Sequence, residues 1–296
     1  MVNTSKREAK YYSLSTGIFI RLGKTDSISK QYKDGYLEFG CPANWIDYAN
    51  KHCDGIADKY EAIVGHVKKD DPRLSMLGDD GIPLNMFRSL WIEDDSNDMV
   101  FVRYLYLCLT PALCFFSIPV KEIALNCKKE DNKSKGFRIN LSVFYKAMDI
   151  NINECSVLII TFPERLFQEL NEEIPNNLQR CQNIDINRYN PNCPFLTSMI
   201  NYNLDLEKEF FDIQNFDAIF RKRPQYSNQN EARIIIPNVN FVSDPVYNIN
   251  SYKDNTMKMY LPNLASYSYI FPAKDIHTID FFNFNERYDR YELGFR

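Results

Sequence analysis

Short apolar runs separated by polar turns fill the first third of the chain. Residues 17–22 and 36–39 are dense in β-branched and aromatic side chains, which predicts two strands. Residues 42–50 begin with a proline and repeat apolar side chains at helical spacing, which predicts a helix. The charged, glycine-containing stretch 68–82 predicts a loop. The first third is therefore expected to contain two strands followed by a helix and a charged loop.

Strand and helix patterns alternate in the middle of the chain. Residues 99–107, 138–141 and 156–161 predict strands, and residues 163–170 predict a helix with a proline in its first turn. The most apolar window, 104–120, contains two prolines and is shorter than the about 20 apolar residues that a membrane-spanning helix needs. We interpret this window as buried strands around a turn, and we expect no membrane association.

The last third connects its apolar segments through polar, asparagine-rich stretches. Residues 204–220 carry apolar side chains at helical spacing and predict a helix, whereas residues 231–236 predict a strand that a proline ends. Further strands are predicted near residues 257–261, 267–271 and 277–282. The C-terminal part is therefore expected to be rich in strands.

The elements combine into an expected fold class and domain organisation. No linker rich in proline, glycine or serine divides the chain. The sequence therefore predicts a polar N-terminal lead-in over residues 1–14 and a single catalytic-type domain over residues 15–296. The expected fold class is α+β, with a mixed or antiparallel sheet and flanking helices.

The composition excludes several classes of protein. Hydrophobic residues make up 45% and aromatic residues 14% of the 296 residues, so we do not expect a disordered chain. Only 10 residues are glycine, and the glycine-rich phosphate loops of common nucleotide-binding folds are missing from the sequence. A net charge of −4 argues against a protein that coats nucleic acid through charge alone. Composition by itself selects no activity.

The pattern of cysteines and histidines favours reduced thiols over a metal site. The 8 cysteines form no Cys-x-x-Cys pair and there are only 3 histidines, whereas structural zinc sites usually show closely spaced ligand pairs. We therefore expect no metal, and thiols that behave as small buried hydrophobes. A cysteine–histidine nucleophile stays open, because such partners meet in space rather than in sequence. No apolar segment of signal length follows the polar N-terminus, so we expect a cytoplasmic location.

One short segment carries the most distinctive candidate chemistry. Gln229, Glu231 and Arg233 lie two residues apart, so on a strand they would share one face. A fixed carboxylate between an amide and a guanidinium can hold a ribose hydroxyl and stabilise the positive charge that develops when a glycosidic bond breaks. The alternative is a solvated strand face on which Glu231 and Arg233 form an exposed ion pair, worth about 0–1 kcal/mol.

Two further groups of charged residues allow either a structural or a functional interpretation. Arg221, Lys222 and Arg223 follow a predicted helix, where they would complement its dipole; alternatively, Lys222 would contact a phosphate. Asp58 and Glu61 are three residues apart and could meet on one helical face, most simply as a solvated surface pair.

The Gln-x-Glu pattern of residues 229–231 resembles the C-terminal catalytic motif of ADP-ribosyltransferases. The resemblance implies that the cofactor is NAD, that Glu231 anchors its nicotinamide ribose, and that Gln229 helps to select the acceptor. It also implies a cofactor-binding Arg or His on an early strand, a position that Arg21 fits. Lys222 or Arg223 would contact the phosphates of the cofactor.

The middle strand of that family, which is followed by a helix, has a counterpart in residues 36–41 and the helix after them. Gly40 and Cys41 stand where the family often has Ser and Thr. Tyr36 on this strand and Arg233 beside the catalytic glutamate complete the expected cofactor contacts.

A second resemblance covers most of residues 16–236. Five segments, taken in order, are similar to an uncharacterised bacterial family of unknown function found near phage-defence and toxin genes. These segments are residues 35–40, 55–61, 107–110, 157–167 and 220–233. The resemblance implies a bacterial intracellular protein and supplies no reaction of its own.

The two resemblances lead to two hypotheses about function. The first is an NAD-dependent ADP-ribosyltransferase-like enzyme, a toxin or anti-phage defence effector that modifies a protein or a nucleic acid. The second is a non-enzymatic recognition subunit of a defence or toxin–antitoxin complex, which binds its partner through the aromatic and asparagine-rich C-terminal half. Either hypothesis allows an antitoxin or a defence-complex partner, whose existence the sequence does not decide.

Overall fold

The chain folds into several antiparallel sheets with few helices, as seen in a computed structural model. The structure describes residues 16–51, 57–75, 90–95, 98–119, 151–212, 216–242, 255–278, 284–285 and 290–291. The predicted α+β class is therefore confirmed, and the sheets are antiparallel wherever named strands pair.

Strands make up most of the regular structure. In chain order they are β1 (Thr16–Lys24), β2 (Tyr36–Phe39), β3 (Ile63–Lys68), β4 (Leu90–Asp94), β5 (Met99–Tyr104), β6 (Ala112–Pro119), β7 (Cys155–Ile160), β8 (Ile184–Asp185), β9 (Leu196–Met199), β10 (Phe210–Phe211), β11 (Glu231–Ile235), β12 (Asn240–Phe241), β13 (Met257–Tyr260), β14 (Ser268–Pro272), β15 (Phe284–Asn285) and β16 (Arg290–Tyr291). The α-helices are α1 (Thr25–Asp34), α2 (Pro42–Lys51), α3 (Leu105–Cys108) and α4 (Pro163–Arg180).

Short 3₁₀ helices connect several of these elements. They span Pro72–Ser75, Ile152–Glu154, Phe216–Phe220, Pro224–Gln229, Leu264–Ser266 and Ala273–Thr278.

The largest sheet has six strands in the order β14-β7-β1-β6-β11-β9. Its strands β7 and β11 are buried along their whole length, because side chains pack on both faces of the sheet. Helix α1 packs on β7 and β1, and α4 packs on β1 and on the separate pair β13–β2. Strand β6 therefore lies between the two strands, β1 and β11, that carry the predicted site residues.

The large sheet parts between β1 and β6. The ladder that joins these strands ends at Ile20 and Phe116, although β1 stays paired with β7 as far as Lys24. At the start of β6, Ala112 exchanges both backbone hydrogen bonds with Gly40, the residue after β2. Since β11 occupies the other edge of β6, the gap opens on the β1 side between these two contacts.

A second, four-stranded sheet has the order β10-β3-β5-β4. The chain enters its strand β3 from a tight loop, residues 57–62, which we call the acidic loop because it carries Asp58 and Glu61. Gly65 on β3 lies directly beneath the ring of Phe211 on β10. The second sheet therefore fixes where the acidic loop ends.

Most predicted strands and two predicted helices are confirmed. The strands predicted near residues 17–22, 36–39, 156–161, 231–236 and 257–261 correspond to β1, β2, β7, β11 and β13. Helix α2 matches its predicted bounds closely, and α4 begins at the predicted proline but continues to Arg180.

One prediction from apolar spacing is wrong. The predicted helix over residues 204–220 is replaced by the short strand β10 and the 3₁₀ helix Phe216–Phe220, because Phe210 and Phe211 pair with β3 instead of following a helix. The interpretation of the window 104–120 as strands around a turn is confirmed in part, since the single helical turn α3 separates Tyr104, the last residue of β5, from the strand β6.

Several predictions fall partly or wholly on residues that the structure does not describe. The lead-in 1–14, the strand 138–141 and residues 76–82 and 279–282 lie outside the described residues. The start of the strand predicted near residue 277 belongs instead to the 3₁₀ helix Ala273–Thr278. The single domain over 15–296 stays a prediction. Within the described part of the chain, no helix combines the length and apolar character that crossing a membrane requires.

We expect Gly65→Ala to destabilise the fold, because a Cβ at this position would overlap the Phe211 ring and lie 3.4 Å from the Phe210 carbonyl oxygen. Overpacking of this kind costs about 1–3 kcal/mol of unfolding free energy, measurable by chemical denaturation. In a Phe211→Leu background the same substitution should cost less. An equal cost in both backgrounds would show that the close approach does not limit β3.

Candidate functional site

The gap between β1 and β6 opens into a cleft of about 420 Å³. Small-molecule sites commonly occupy about 300–1,000 Å³ and combine apolar walls with a few polar groups. The cleft has this character, since Trp45 and Phe116 contribute aromatic surface to it. Its polar lining comes from Arg21, Glu38, Asn44, Cys114, Gln229, Glu231 and Thr256.

The structure brings three of the predicted site residues to this cleft. Arg21 reaches it from β1, Glu231 from β11 and Gln229 from the 3₁₀ helix that precedes β11. The strands of Arg21 and Glu231 are not adjacent, because β6 runs between them.

The other three predicted residues do not line the cleft. Tyr36 is buried beside Tyr260, and the ammonium of Lys258 lies 5.1 Å from its ring centre. Lys222 and Arg233 lie behind Glu231 and bind its carboxylate. Their expected contacts with a cofactor are therefore replaced by contacts with protein.

Gln229 and Glu231 do not share a strand face, contrary to the prediction. The 3₁₀ helix ends at Gln229, and Asn230 adopts a left-handed conformation with φ 42° and ψ 50°. Asparagine tolerates this conformation better than most residues. Asn230 is held by Ser117, whose backbone N–H donates to the Asn230 carbonyl at 2.9 Å. The strand begins only at Glu231, so the bend sets the relation between the two side chains.

Glu231 and Arg233 do share a face, but that face is not solvated. Glu231 is 7% exposed and Arg233 is 0% exposed, which excludes the exposed ion pair. The backbone N–H of Glu231 donates to the Tyr202 hydroxyl at 2.8 Å, and the Arg233 guanidinium lies 4.5 Å from the centre of the Trp45 ring. Side chains from the segment after β9 and from α2 thus enclose this end of β11.

Five residues form a buried ion cluster: Glu61, Lys222, Gln229, Glu231 and Arg233. One carboxylate oxygen of Glu231 accepts from Arg233 Nε at 2.5 Å, and the other accepts from Lys222 Nζ at 2.6 Å. Lys222 Nζ also donates to Gln229 Oε1 at 2.8 Å. Arg233 binds Glu61 through two parallel bonds of 2.7 and 2.8 Å, the strongest geometry for this pair.

The charges of the ion cluster keep Glu231 ionised. Burial alone would raise the pKa of its carboxyl group, but attraction from Arg233 and then Lys222 outweighs burial and lowers the pKa to about 2. Burial opposes the charge of Lys222 in the same way, yet Glu231 and Glu61 raise the pKa of the ammonium above its ordinary value. Two anions and two cations therefore offset one another inside the protein.

Three arginines hold the acidic loop. Arg103 on β5 donates to the backbone carbonyls of Lys59 at 2.7 Å and Glu61 at 3.0 Å, and Arg223 pairs with Asp58 at 2.9 Å. The third arginine is Arg233 of the ion cluster, which binds Glu61. Asp58 and Glu61 are 0% and 1% exposed and lie in a turn, so the expected solvated pair on a helix is wrong.

Sequence reasoning noted Glu61 but missed its place in the ion cluster, although the sequence contained a signal for it. Arg103 lies in an otherwise apolar strand, and Arg233 shares its strand with one other charged residue, Glu231. A buried arginine requires an acceptor of comparable charge, and carboxylates outside the polar loops are the candidates. Asp58 and Glu61, close to the apolar run that begins at Ala62, fit that requirement.

The basic segment 221–223 does not form a free positive patch. Arg221 binds Asp212 at 2.6 Å, Lys222 belongs to the ion cluster, and Arg223 binds the acidic loop. The segment follows a 3₁₀ helix of 5 residues, so it does not cap the long helix that was predicted. With 3% exposure, Lys222 is also poorly placed for a cofactor phosphate.

Arg21 stands on the opposite wall of the cleft. Its Nη2 donates to the Glu38 backbone carbonyl at 3.1 Å, and burial lowers the pKa of the guanidinium, although it remains a cation at neutral pH. This single bond uses a small part of the donor capacity of an arginine, which has five N–H groups.

Cys114 lines the cleft as a neutral thiol. Burial raises its pKa well above the ordinary value, and the nearby charge of Glu231 raises it further. A protonated thiol is a poor nucleophile. His66, whose side chain the structure describes, pairs with Asp95 in the second sheet, so these described side chains give no cysteine–histidine pair at the cleft. Across the described residues, no group of three or more His, Cys, Asp and Glu could hold a metal ion.

Comparison with known proteins adds no relative. No protein-family model, no curated protein and no solved structure matches this chain. The chemistry of the cleft must therefore be argued from its own residues.

We expect Arg233→Met to lower the unfolding free energy by about 3–5 kcal/mol, because it leaves two buried carboxylates facing one ammonium. The matched control is Arg221→Met. Arg221 and its partner Asp212 have side chains that are 19% and 43% exposed, so this substitution should cost about 0–1 kcal/mol. Urea denaturation of both variants measures the difference, and equal losses would contradict a buried cluster.

The ion cluster also predicts how stability depends on pH. The folded-state pKa of Glu231 lies near 2, below its ordinary value of 4.5, so the unfolded chain binds this proton more readily. The contribution of Glu231 to stability is therefore complete above about pH 4.5 and is lost as the pH falls towards 2. We expect the unfolding free energy of Glu231→Gln to fall less steeply than that of the wild type across this range. Parallel profiles would contradict the lowered pKa.

Proposed function

We propose that this chain is an NAD-dependent enzyme of the ADP-ribosyltransferase type, with a related fold built on the parted sheet. The observation that carries the proposal is that Arg21 and Glu231, from strands on either side of β6, line one cleft. The cleft pairs a cation with an ionised carboxylate and an aromatic wall. This combination suits a cofactor with phosphates, a ribose and a planar base.

In the proposed reaction, the bond between the ribose carbon and the nicotinamide nitrogen breaks, and the electron pair leaves with nicotinamide. Positive charge develops on the ribose, and Glu231 stabilises it while holding a ribose hydroxyl. A carboxylate has about four lone-pair sites, of which Arg233 and Lys222 take two. An acceptor oxygen or nitrogen then forms the new bond to the ribose carbon and releases its proton to water. Gln229, at the cleft, orients this acceptor.

The biological setting is part of the same proposal. The acceptor is a protein or a nucleic acid, and the enzyme acts in the bacterial cytoplasm as a toxin or anti-phage defence effector. Its activity would be restrained by an antitoxin or a defence-complex partner. This setting is supported by the sequence resemblance to families found near such genes.

One observation favours a second candidate function. Both oxygens of Glu231 already bind cations, which offset the negative charge that the reaction would use. This arrangement suits a cleft that binds a ligand without turnover, as in a non-enzymatic recognition subunit of a defence complex. Most of the C-terminal half expected to bind such a partner is described, whereas most of its residues after 278 lie outside the described part.

The test is turnover of NAD labelled in its ADP-ribose part, with total cell lysate as acceptor. We expect the wild type to release nicotinamide and to transfer label, and Glu231→Gln to lose at least about 100-fold in turnover. Wild-type protein that binds NAD without releasing nicotinamide would instead support the second candidate.

A charge-balanced control separates loss of chemistry from loss of folding. Glu231→Gln leaves two buried cations facing Glu61 alone, so it should also destabilise the protein. In the double variant E231Q/K222M one anion and one cation remain, and we expect stability to recover while turnover stays lost. Turnover that returns together with stability would contradict a catalytic role for Glu231.

A further inference from the structure

Lys222 occupies an unusual place, because it touches both predicted catalytic side chains without reaching the cleft. Its ammonium lies 2.8 Å from Gln229 Oε1 and 2.6 Å from Glu231 Oε2, and its third neighbour, Glu61 Oε1, is 3.3 Å away. An ammonium has three donor hydrogens, and these three oxygens match that number. Lys222 is 3% exposed and is not one of the cleft-lining residues.

The bend at Asn230 sets the directions in which the Gln229 and Glu231 side chains leave the backbone. One residue ends a 3₁₀ helix, the other begins a strand, and the left-handed Asn230 stands between them. Lys222 bridges the polar ends of both side chains. Arg233 binds Glu231 and Glu61, whereas Lys222 binds Gln229 as well.

We propose that Lys222 is a positioning residue that fixes the Gln229 amide and the Glu231 carboxylate relative to one another at the cleft. It does so from behind, and it does not contact the ligand. The consequence for catalysis rests on the proposed function, whereas the positioning itself does not.

The geometry distinguishes this role from a simple structural ion pair. Glu61 and Arg233 bind each other through two bonds, so most of the acidic loop contact persists without Lys222. Loss of Lys222 instead removes one of the two cations that hold Glu231 and the bond that holds the Gln229 oxygen. A displacement of about 1 Å at a reacting group can lower a rate about 100-fold.

The experiment measures the two side chains directly. In Lys222→Met protein labelled with ¹³C at glutamate carboxyl groups and ¹⁵N at glutamine side chains, NMR reports the pKa of Glu231 and the environment of the Gln229 amide. Comparison with Glu231→Gln and Gln229→Met assigns the two signals. Among the described residues, the charged and titratable groups nearest Glu231 are Lys222, Arg233, Cys114 and Tyr202. Glu61 belongs to the same ion cluster, and Arg21 and Glu38 line the same cleft. All of these groups except Lys222 are unchanged in this variant.

We expect the pKa of Glu231 to rise in Lys222→Met, because burial persists while one of the two attractions is lost. The Gln229 amide signal should shift, and kcat for NAD should fall about 100-fold with little change in KM. The exposed Lys274→Met is the matched control and should change none of these quantities.

The outcomes separate this inference from the proposed function. An unchanged Glu231 pKa together with an unchanged Gln229 signal overturns it, and so does a raised KM with unchanged kcat, since that would mean direct contact with NAD. If the wild type does not turn over NAD, the proposed function fails and the two NMR signals alone decide on positioning. If Lys222→Met does not fold, the charge-balanced E61Q/K222M variant carries the same test through the Gln229 signal.

Discussion

The paired hydrogen bonds between Arg233 and Glu61 connect parts of the chain that are far apart in sequence. Arg233 belongs to the six-stranded sheet, whereas Glu61 lies in the acidic loop that leads into the four-stranded sheet. The next residue, Ala62, has a φ of 56°, a conformation that a residue with a Cβ adopts only when its surroundings enforce it. The ion pair supplies that constraint, because it fixes the loop at the residue before the strained one.

A buried charge is costly unless its partners compensate it, and this constraint explains the composition of the site. Arg233 requires a carboxylate, Glu61 and Glu231 together require a second cation, and Lys222 meets that requirement. The same group of charges sets the state of Glu231 and encloses it on the side away from the cleft. Stability and any chemistry at this carboxylate are therefore coupled, so a substitution chosen to test one also disturbs the other.

The sequence was sufficient for most strands of the six-stranded sheet and for three of the residues at the cleft. Runs of β-branched and aromatic residues identified β1, an apolar run before a proline identified β11, and the Gln-x-Glu pattern selected Gln229 and Glu231. The sequence could not show that Lys222 is buried, because a lysine after an apolar segment has the same pattern whether it is solvated or buried. The prediction of a helix around Phe210 was wrong for a related reason, since pairing with β3 is a long-range contact that local spacing does not encode.

Because β1 and β6 separate, a ligand in the gap would meet backbone groups of β6. Ala112 directs its N–H and carbonyl groups towards Gly40. Every second residue of an antiparallel strand directs these groups to the same edge. The N–H and carbonyl groups of Cys114 therefore point towards the gap. Peptide groups are present whatever side chain the position carries. Recognition through them would persist while the surrounding side chains diverge during evolution, and it would leave no trace in a sequence motif.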